Sequence, residues 1–227
     1  MRGRWAIFGS AFVIGLSGAM MPGPLLSACI GYTFEEGFLA GGPLLILGHG
    51  VLEAALVAAV LLGLGRVLAR KSVGAGIGIV GGGVLLWMGT GMTAFVAGGG
   101  ALGDGASASA LPTSPVVAGV LISLANPYWS LWWATIGLKY IALSRERGRL
   151  GVAAFGAGHL LSDVGWYLFV AGVVAVFREA EVLPPTVYQW VIRACGVVLL
   201  GFGVWFLVAG IRHFVRWRRQ SVVAEQA

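Results

Sequence analysis

Apolar residues gather along this chain into six long stretches with short polar breaks between them. The stretches run Ile7 to Ile30, Phe38 to Leu64, Val73 to Val96, Val116 to Ile141, Val152 to Phe177 and Val187 to Val208. Each is about 20 residues or more, the length at which an α-helix crosses ~30 Å of hydrocarbon. The pattern predicts an all-α polytopic membrane protein with six transmembrane helices. The longest polar break, Gly98 to Pro115, is rich in Gly, Ala and Ser and carries Asp104 and two prolines. It reads as a flexible extracytoplasmic linker, residues 98–115, between a three-helix half over 1–97 and a second over 116–227 that ends in a basic cytoplasmic tail.

Two of the six stretches are interrupted. Met21-Pro22-Gly23-Pro24-Leu25-Leu26-Ser27 lies in the first, and Ala125-Asn126-Pro127-Tyr128-Trp129-Ser130 in the fourth. Proline has no backbone N–H and pushes the residue before it out of the α region. Backbone broken at membrane depth is tolerated only where protein or an aqueous cavity surrounds it. Both breaks read Pro-x-x-Ser, and the resemblance between the halves extends further. Gly48-His49-x-x-x-Glu53 in the second stretch matches Gly158-His159-x-x-x-Asp163 in the fifth. Gly81-x-Gly83-Val84 is echoed, more weakly, by Gly201-x-Gly203-Val204. Halves of three helices each must lie upside down relative to one another. Inverted repeats with broken helices are a transporter architecture, with binding near the midplane.

On this reading Pro22, Gly23, Pro24, Ser27, Asn126, Pro127 and Ser130 line the substrate path, and the breaks act as hinges. Unwound backbone near Pro24 and Pro127 offers free amides and carbonyls, and half-helix N-termini attract anionic groups. For each serine the competing reading is a bond back to its own helix. Asn126 carries both donors and acceptors at the break itself.

Composition sharpens the class. The 227 residues are 58% hydrophobic and only 11% charged, where a soluble domain carries roughly a quarter. The 38 glycines point to close helix packing. A net charge of +6 invites a nucleic-acid partner, but the positions of the charges exclude one, because they flank apolar runs. With the N-terminus cytoplasmic, the inner segments hold Arg2 and Arg4; Arg66, Arg70 and Lys71; Lys139, Arg145, Arg147 and Arg149; and Arg212, Arg216, Arg218 and Arg219. These are thirteen of the fifteen Lys and Arg residues. The positive-inside bias therefore puts both termini in the cytoplasm and the chain, multi-pass, in the cytoplasmic (inner) membrane. The apolar run after Met1-Arg2-Gly3-Arg4-Trp5 continues without an Ala-x-Ala site, so the first helix is read as uncleaved. No soluble domain suggests energy input from ATP, which leaves a secondary mechanism or a separate partner chain.

The candidate chemistry sits on the second and fifth helices. His49 and Glu53 are four apart and share a helix face, as do His159 and Asp163. Glu53 and Asp163 are the acidic residues placed well inside spans, where carboxylates face a bundle interior or a wet cavity. An inverted repeat could bring both pairs to one site. Three readings compete: proton exchange with a substrate cycle, a transient divalent-metal site formed by His49, Glu53, His159 and Asp163, or structural hydrogen-bonded clamps. Duplication of the whole signature favours function over a clamp, and proton coupling ahead of metal. Trp129, Trp132 and Trp133 follow the second break and either wall the pathway or stack on a cationic substrate, or else fill helix packing or face lipid. Cys29 and Cys195 raise a thiol–disulfide electron carrier as a rival. Symmetry argues against it, because the repeat-equivalent of Cys29 falls near Trp132.

The Pro22-Gly23-Pro24 break, the Asn126-Pro127 break, the six helices and the cytosolic basic bias together resemble the lysine exporter (LysE/RhtB) family of amino-acid translocators, over nearly the whole chain. That resemblance implies export of an amino acid or similar small polar solute, with the residues around Gly23-Pro24 and Asn126-Pro127 bounding the path. The wider superfamily is similar to exporters of metal ions and to thiol-electron carriers. The expectation is a proton-antiporting exporter and not an enzyme, with a divalent metal-ion exporter and a thiol–disulfide carrier as alternatives. No cofactor is expected, a divalent metal being the alternative. The expected partners are a small-molecule substrate and the lipid bilayer, with a homo-oligomer left open.

Overall fold

The computed structural model describes residues 2–64, 71–97, 114–180 and 184–225, and every regular element among them is helical. Most of the expected linker, 98–113, lies outside the described residues, as do Arg66, Arg70 and Asp104. The first apolar stretch forms two limbs, α1 (Arg2–Ala19) and α2 (Pro24–Glu36), bent by 78° at the Pro22-Gly23-Pro24 break. Pro24 opens α2, where its missing N–H has no intrahelical partner to lose, and Gly23 is the extended residue before it. Gly37, at φ 95°, turns the chain. A π-helical turn over Ala40–Leu44 around Pro43 then leads into α3 (Leu45–Ala59) and a second π-helical turn, Val60–Leu64. The first half closes with α4 (Lys71–Ala97).

The second half begins with α5 (Pro115–Ala125), whose first turn is capped by the Ser114 hydroxyl accepting from the Val117 amide. Asn126 breaks the helix in extended conformation, and its Oδ1 accepts from the Tyr128 amide at 3.0 Å to start α6 (Pro127–Trp132). A π-helical turn, Trp133–Gly137, and α7 (Leu138–Arg145) complete this segment. The chain ends with α8 (Gly148–Glu179) and α9 (Pro185–Glu225).

Among the described residues four helices are long and apolar enough to span a membrane, or five when the bent α1–α2 pair counts as one span. The fourth expected span is not one of them, because Asn126 divides it and α5 alone has only 11 residues. The sixth runs further than its apolar stretch. α9 continues from Val208 through Arg212, Arg216, Arg218 and Arg219 to Glu225, since arginine is a good helix former and no proline intervenes.

The helices associate chiefly as three pairs: α1 with α8, α3 with α5, and α4 with α9. Glycine sets the closeness of each. A Cβ on Gly48 would fall on the Val116 carbonyl of α5, and one on Gly158 on the Phe8 carbonyl of α1. In the third pair a Cβ on Gly89 would lie 2.9 Å from the Gly196 carbonyl oxygen. Small residues at these contacts let backbones approach in a solvent that gives apolar side chains no reason to cluster. Large apolar side chains such as Trp5, Leu62 and Trp87 accordingly face outward. Two buried apolar clusters, one around Tyr32, Leu45 and Tyr167 and one around Trp132, Trp133 and Phe155, flank the four histidine and carboxylate side chains.

Candidate functional site

Both Gly-His-x-x-x-acid signatures turn their polar face to one centre. His49 and Glu53 of α3 and His159 and Asp163 of α8 are 3–6% exposed. Glu53 Oε1 lies 3.2 Å from His49 Nε2 and 3.2 Å from His159 Nε2. Asp163 Oδ2 lies 3.5 Å from His159 Nε2 and 3.9 Å from His49 Nε2. The i,i+4 spacing aligns each pair on its own helix, and the glycine before each histidine lets the helix settle against its neighbour.

Two tryptophans complete the surroundings of Glu53. Trp129 and Trp133 donate their indole N–H groups to Glu53 Oε1 at 3.1 and 3.0 Å. The π-helical turn begins at Trp133 and adds a residue to the helical register directly after the second break, a feature often found at functional sites. His49 Nδ1 is 2.7 Å from the Ser123 hydroxyl of α5. His159 is held differently. Trp132 stacks on its ring at 4.6 Å and 17°, Phe155 lies nearly parallel at 6.0 Å, and Trp133 meets it edge-on at 5.0 Å. Its Nδ1 has no hydrogen-bond partner, nor do Glu53 Oε2 and Asp163 Oδ2, although all three atoms are buried. Buried polar groups without partners are rare and call for a reason.

These residues line a cavity of about 50 Å³. Met21, Pro22, Gly23, Pro24 and Asn126 line it too, with Tyr128, Trp129, Trp132, Trp133 and Tyr167, and its far wall is Leu85 of α4 with Leu199, Phe202 and Phe206 of α9. The two breaks face each other across it, since a Cβ on Gly23 would lie 3.9 Å from Asn126 Nδ2. Ser27 is not among the lining residues; its hydroxyl donates to the Gly23 carbonyl of its own helix at 3.1 Å. Ser130 also stands outside the lining, and the side chain of Pro127 lies outside the described residues. Cys29 is buried in α2, its thiol 3.7 Å from the Tyr167 carbonyl, and the side chain of Cys195 lies outside the described residues.

Sequence reasoning missed the part played by Trp129 and Trp133, which it weighed as pathway walls or packing rather than as donors to Glu53. The signal was their own i,i+4 spacing immediately after a break, which presents two indoles on one face. The pairing of Ser123 with His49 had no local signal, because the two residues are 74 positions apart.

Enclosed by apolar rings and carrying acceptors without donors, the centre suits the binding of a small polar or charged species. The curated proteins and the solved structures compared with this chain give no match. The family model of the LysE type translocators matches residues 16–210, so the chain belongs to that family and is a membrane transporter of a small solute rather than an enzyme.

Proposed function

We propose that this protein is a secondary transporter of the cytoplasmic membrane, with both termini cytoplasmic, which exports a small polar solute such as an amino acid in exchange for protons. The observation that carries this reading is the four-residue centre, His49, Glu53, His159 and Asp163, on the wall of a cavity bounded by both helix breaks. Intramembrane carboxylates beside histidines are the usual material of proton relays. Unpartnered Glu53 Oε2 and Asp163 Oδ2, with the unpartnered indole N–H of Trp132, present both acceptors and a donor to a solute that carries both.

In this reading the chain has six spans in two inverted repeats over 1–97 and 116–227, joined by the linker 98–115. The helix pairs support it. Exchanging the halves sends the α1–α8 pair onto the α5–α3 pair and returns the α4–α9 pair to itself. The same exchange sends the Gly158–Phe8 contact onto the Gly48–Val116 contact. The asymmetric placement of Lys and Arg supports the orientation. A cavity of about 50 Å³ holds roughly three to five waters, too little for an amino acid. Loading therefore requires the walls to part, with Pro22-Gly23-Pro24 and Asn126-Pro127 as the hinges between alternating states.

The test is efflux from proteoliposomes loaded with amino acids, with and without a pH gradient, for the wild type, Glu53→Gln and Asp163→Asn. Gradient-driven efflux is expected in the wild type and a loss of at least tenfold in each variant. Efflux that keeps its gradient dependence in both variants removes the coupling role from these carboxylates.

A further inference from the structure

We propose that His49, Glu53, His159 and Asp163 form a binding site for a divalent transition-metal cation of the Zn²⁺ class. The proposal rests on that reading only in taking the same centre as the binding site, and it gives the site a ligand whose binding is tested apart from transport.

Charge comes first. In the form that binds metal, with both carboxylates ionised and both imidazoles neutral, the four groups carry −2, which a divalent cation cancels and a monovalent one does not. Uncancelled charge at membrane depth is costly. Spacing is the second. Ligand atoms about 2.0–2.2 Å from a tetrahedral centre lie roughly 3.3–3.6 Å from one another. The imidazole-to-carboxylate separations are 3.2, 3.2, 3.5 and 3.9 Å, and ligand atoms of His49, Glu53 and Asp163 all lie within 4.8 Å of each other. His49, Glu53 and Asp163 are thus the three ligands that already converge, and His159, whose Nε2 approaches both carboxylates, completes the set by a shift of its ring.

Asp163 is 3% exposed and its Oδ2 has no donor, while facing both histidine Nε2 atoms. Glu53 Oε1 already accepts from two indoles, so hydrogen bonding explains that oxygen. It does not explain Asp163 Oδ2, whose desolvation without a partner costs roughly 1–3 kcal/mol. A cation between the four groups satisfies it. His49 is also prepared for the role, because Ser123 engages Nδ1 and leaves Nε2 turned to the centre, the outer support that metal-binding histidines usually have. The adjoining cavity of about 50 Å³ admits an ion with a few waters. Imidazole nitrogen with carboxylate oxygen favours Zn²⁺ and Co²⁺ over the all-oxygen preference of Mg²⁺.

The test uses the purified full-length protein in detergent, titrated with Co²⁺ as an optical probe and then with Zn²⁺ and Mg²⁺ as competitors. The expected result is one saturable Co²⁺ per chain with the intense visible bands of a tetrahedral site, displaced by Zn²⁺ and not by Mg²⁺. His49→Ala combined with His159→Ala should weaken binding at least 100-fold. The near-isosteric Asp163→Asn, checked for a monodisperse elution profile, should weaken it at least tenfold. Ser123→Ala should weaken it about tenfold at unchanged stoichiometry. Absence of saturable Co²⁺ binding in the wild type overturns the proposal, and so does full-affinity binding in monodisperse Asp163→Asn. Binding of Co²⁺ without any proton-driven efflux retires the transport reading and leaves the cation site standing. Proton-driven efflux of an amino acid without Co²⁺ binding does the reverse.

Discussion

On α3, His49 offers its Nδ1 to Ser123, and its neighbour Glu53 receives two indole N–H groups. On α8, His159 has no partner for Nδ1, which faces Gly15 of α1, and Asp163 Oδ2 receives no N–H at all. The two helices carry the same signature to the same centre and are supported by different physics: several directional hydrogen bonds on one side, and on the other ring stacking by Trp132 and Phe155 beside a single bond between His159 Nε2 and Glu53 Oε1. Duplicated spacing thus determines where the groups stand, while each half sets how firmly they are held and what they remain free to bind. The stacked side keeps two polar atoms unspent, His159 Nδ1 and Asp163 Oδ2, against Glu53 Oε2 on the other, and both readings of the centre draw on that unspent capacity.

The largest expected effect tests what the halves share. Gly48→Val and Gly158→Val each drive a side chain into a neighbouring backbone carbonyl, and each should cost about 3 kcal/mol. The measurement is the melting temperature in detergent, with Gly156→Ala, which meets nothing within 4 Å, as an unaffected control. A large loss in one variant and none in the other breaks the equivalence of the two pairs.

A middle-sized effect tests the side held by hydrogen bonds. Trp133→Phe keeps the ring and removes one N–H from Glu53, at a cost of about 2 kcal/mol for a bond to a charged group. Trp132→Phe removes no hydrogen bond and should cost less, since Trp132 Nε1 has no partner. In a double-mutant cycle the cost of Trp133→Phe should shrink in a Glu53→Gln background; an unchanged cost would mean that the indole acts through packing alone.

The smallest effect compares the two serines beside the histidines. Ser123→Ala unpins His49 and should cost about 1 kcal/mol, near the upper range for a polar contact between membrane helices. Ser162→Ala should be close to neutral, because the Ser162 hydroxyl donates only to the His159 carbonyl of its own turn. Equal costs would erase the contrast between the two sides.

Much of this was legible in the order of residues. The membrane class, the two breaks and the shared faces of His49 with Glu53 and of His159 with Asp163 are properties of short segments, set by apolar length, by proline's missing N–H and by the helical repeat. The serines were harder to read. Ser27 and Ser130 have the same local motif as each other, yet Ser27 is bonded back to Gly23 and neither lines the cavity. A hydroxyl at a break has two competing partners, and spacing alone does not choose between them. Where a helix stops was equally hidden at the C-terminus, since loss of hydrophobicity after Val208 marks the end of the apolar stretch and not of the helix.

The sequence by itself determined that this chain is helical and membrane-embedded, where its helices break, and which titratable groups face the same way on each. These follow from interactions within a turn or two of helix. Only the tertiary structure decided that four groups from two helices meet, that Trp129 and Trp133 reach Glu53 from 76 and 80 positions away, and that Ser123 supports His49 alone. Such contacts depend on how closely glycines let backbones approach and on the bends at the breaks. That geometry belongs to pairs of helices and is carried by no single one.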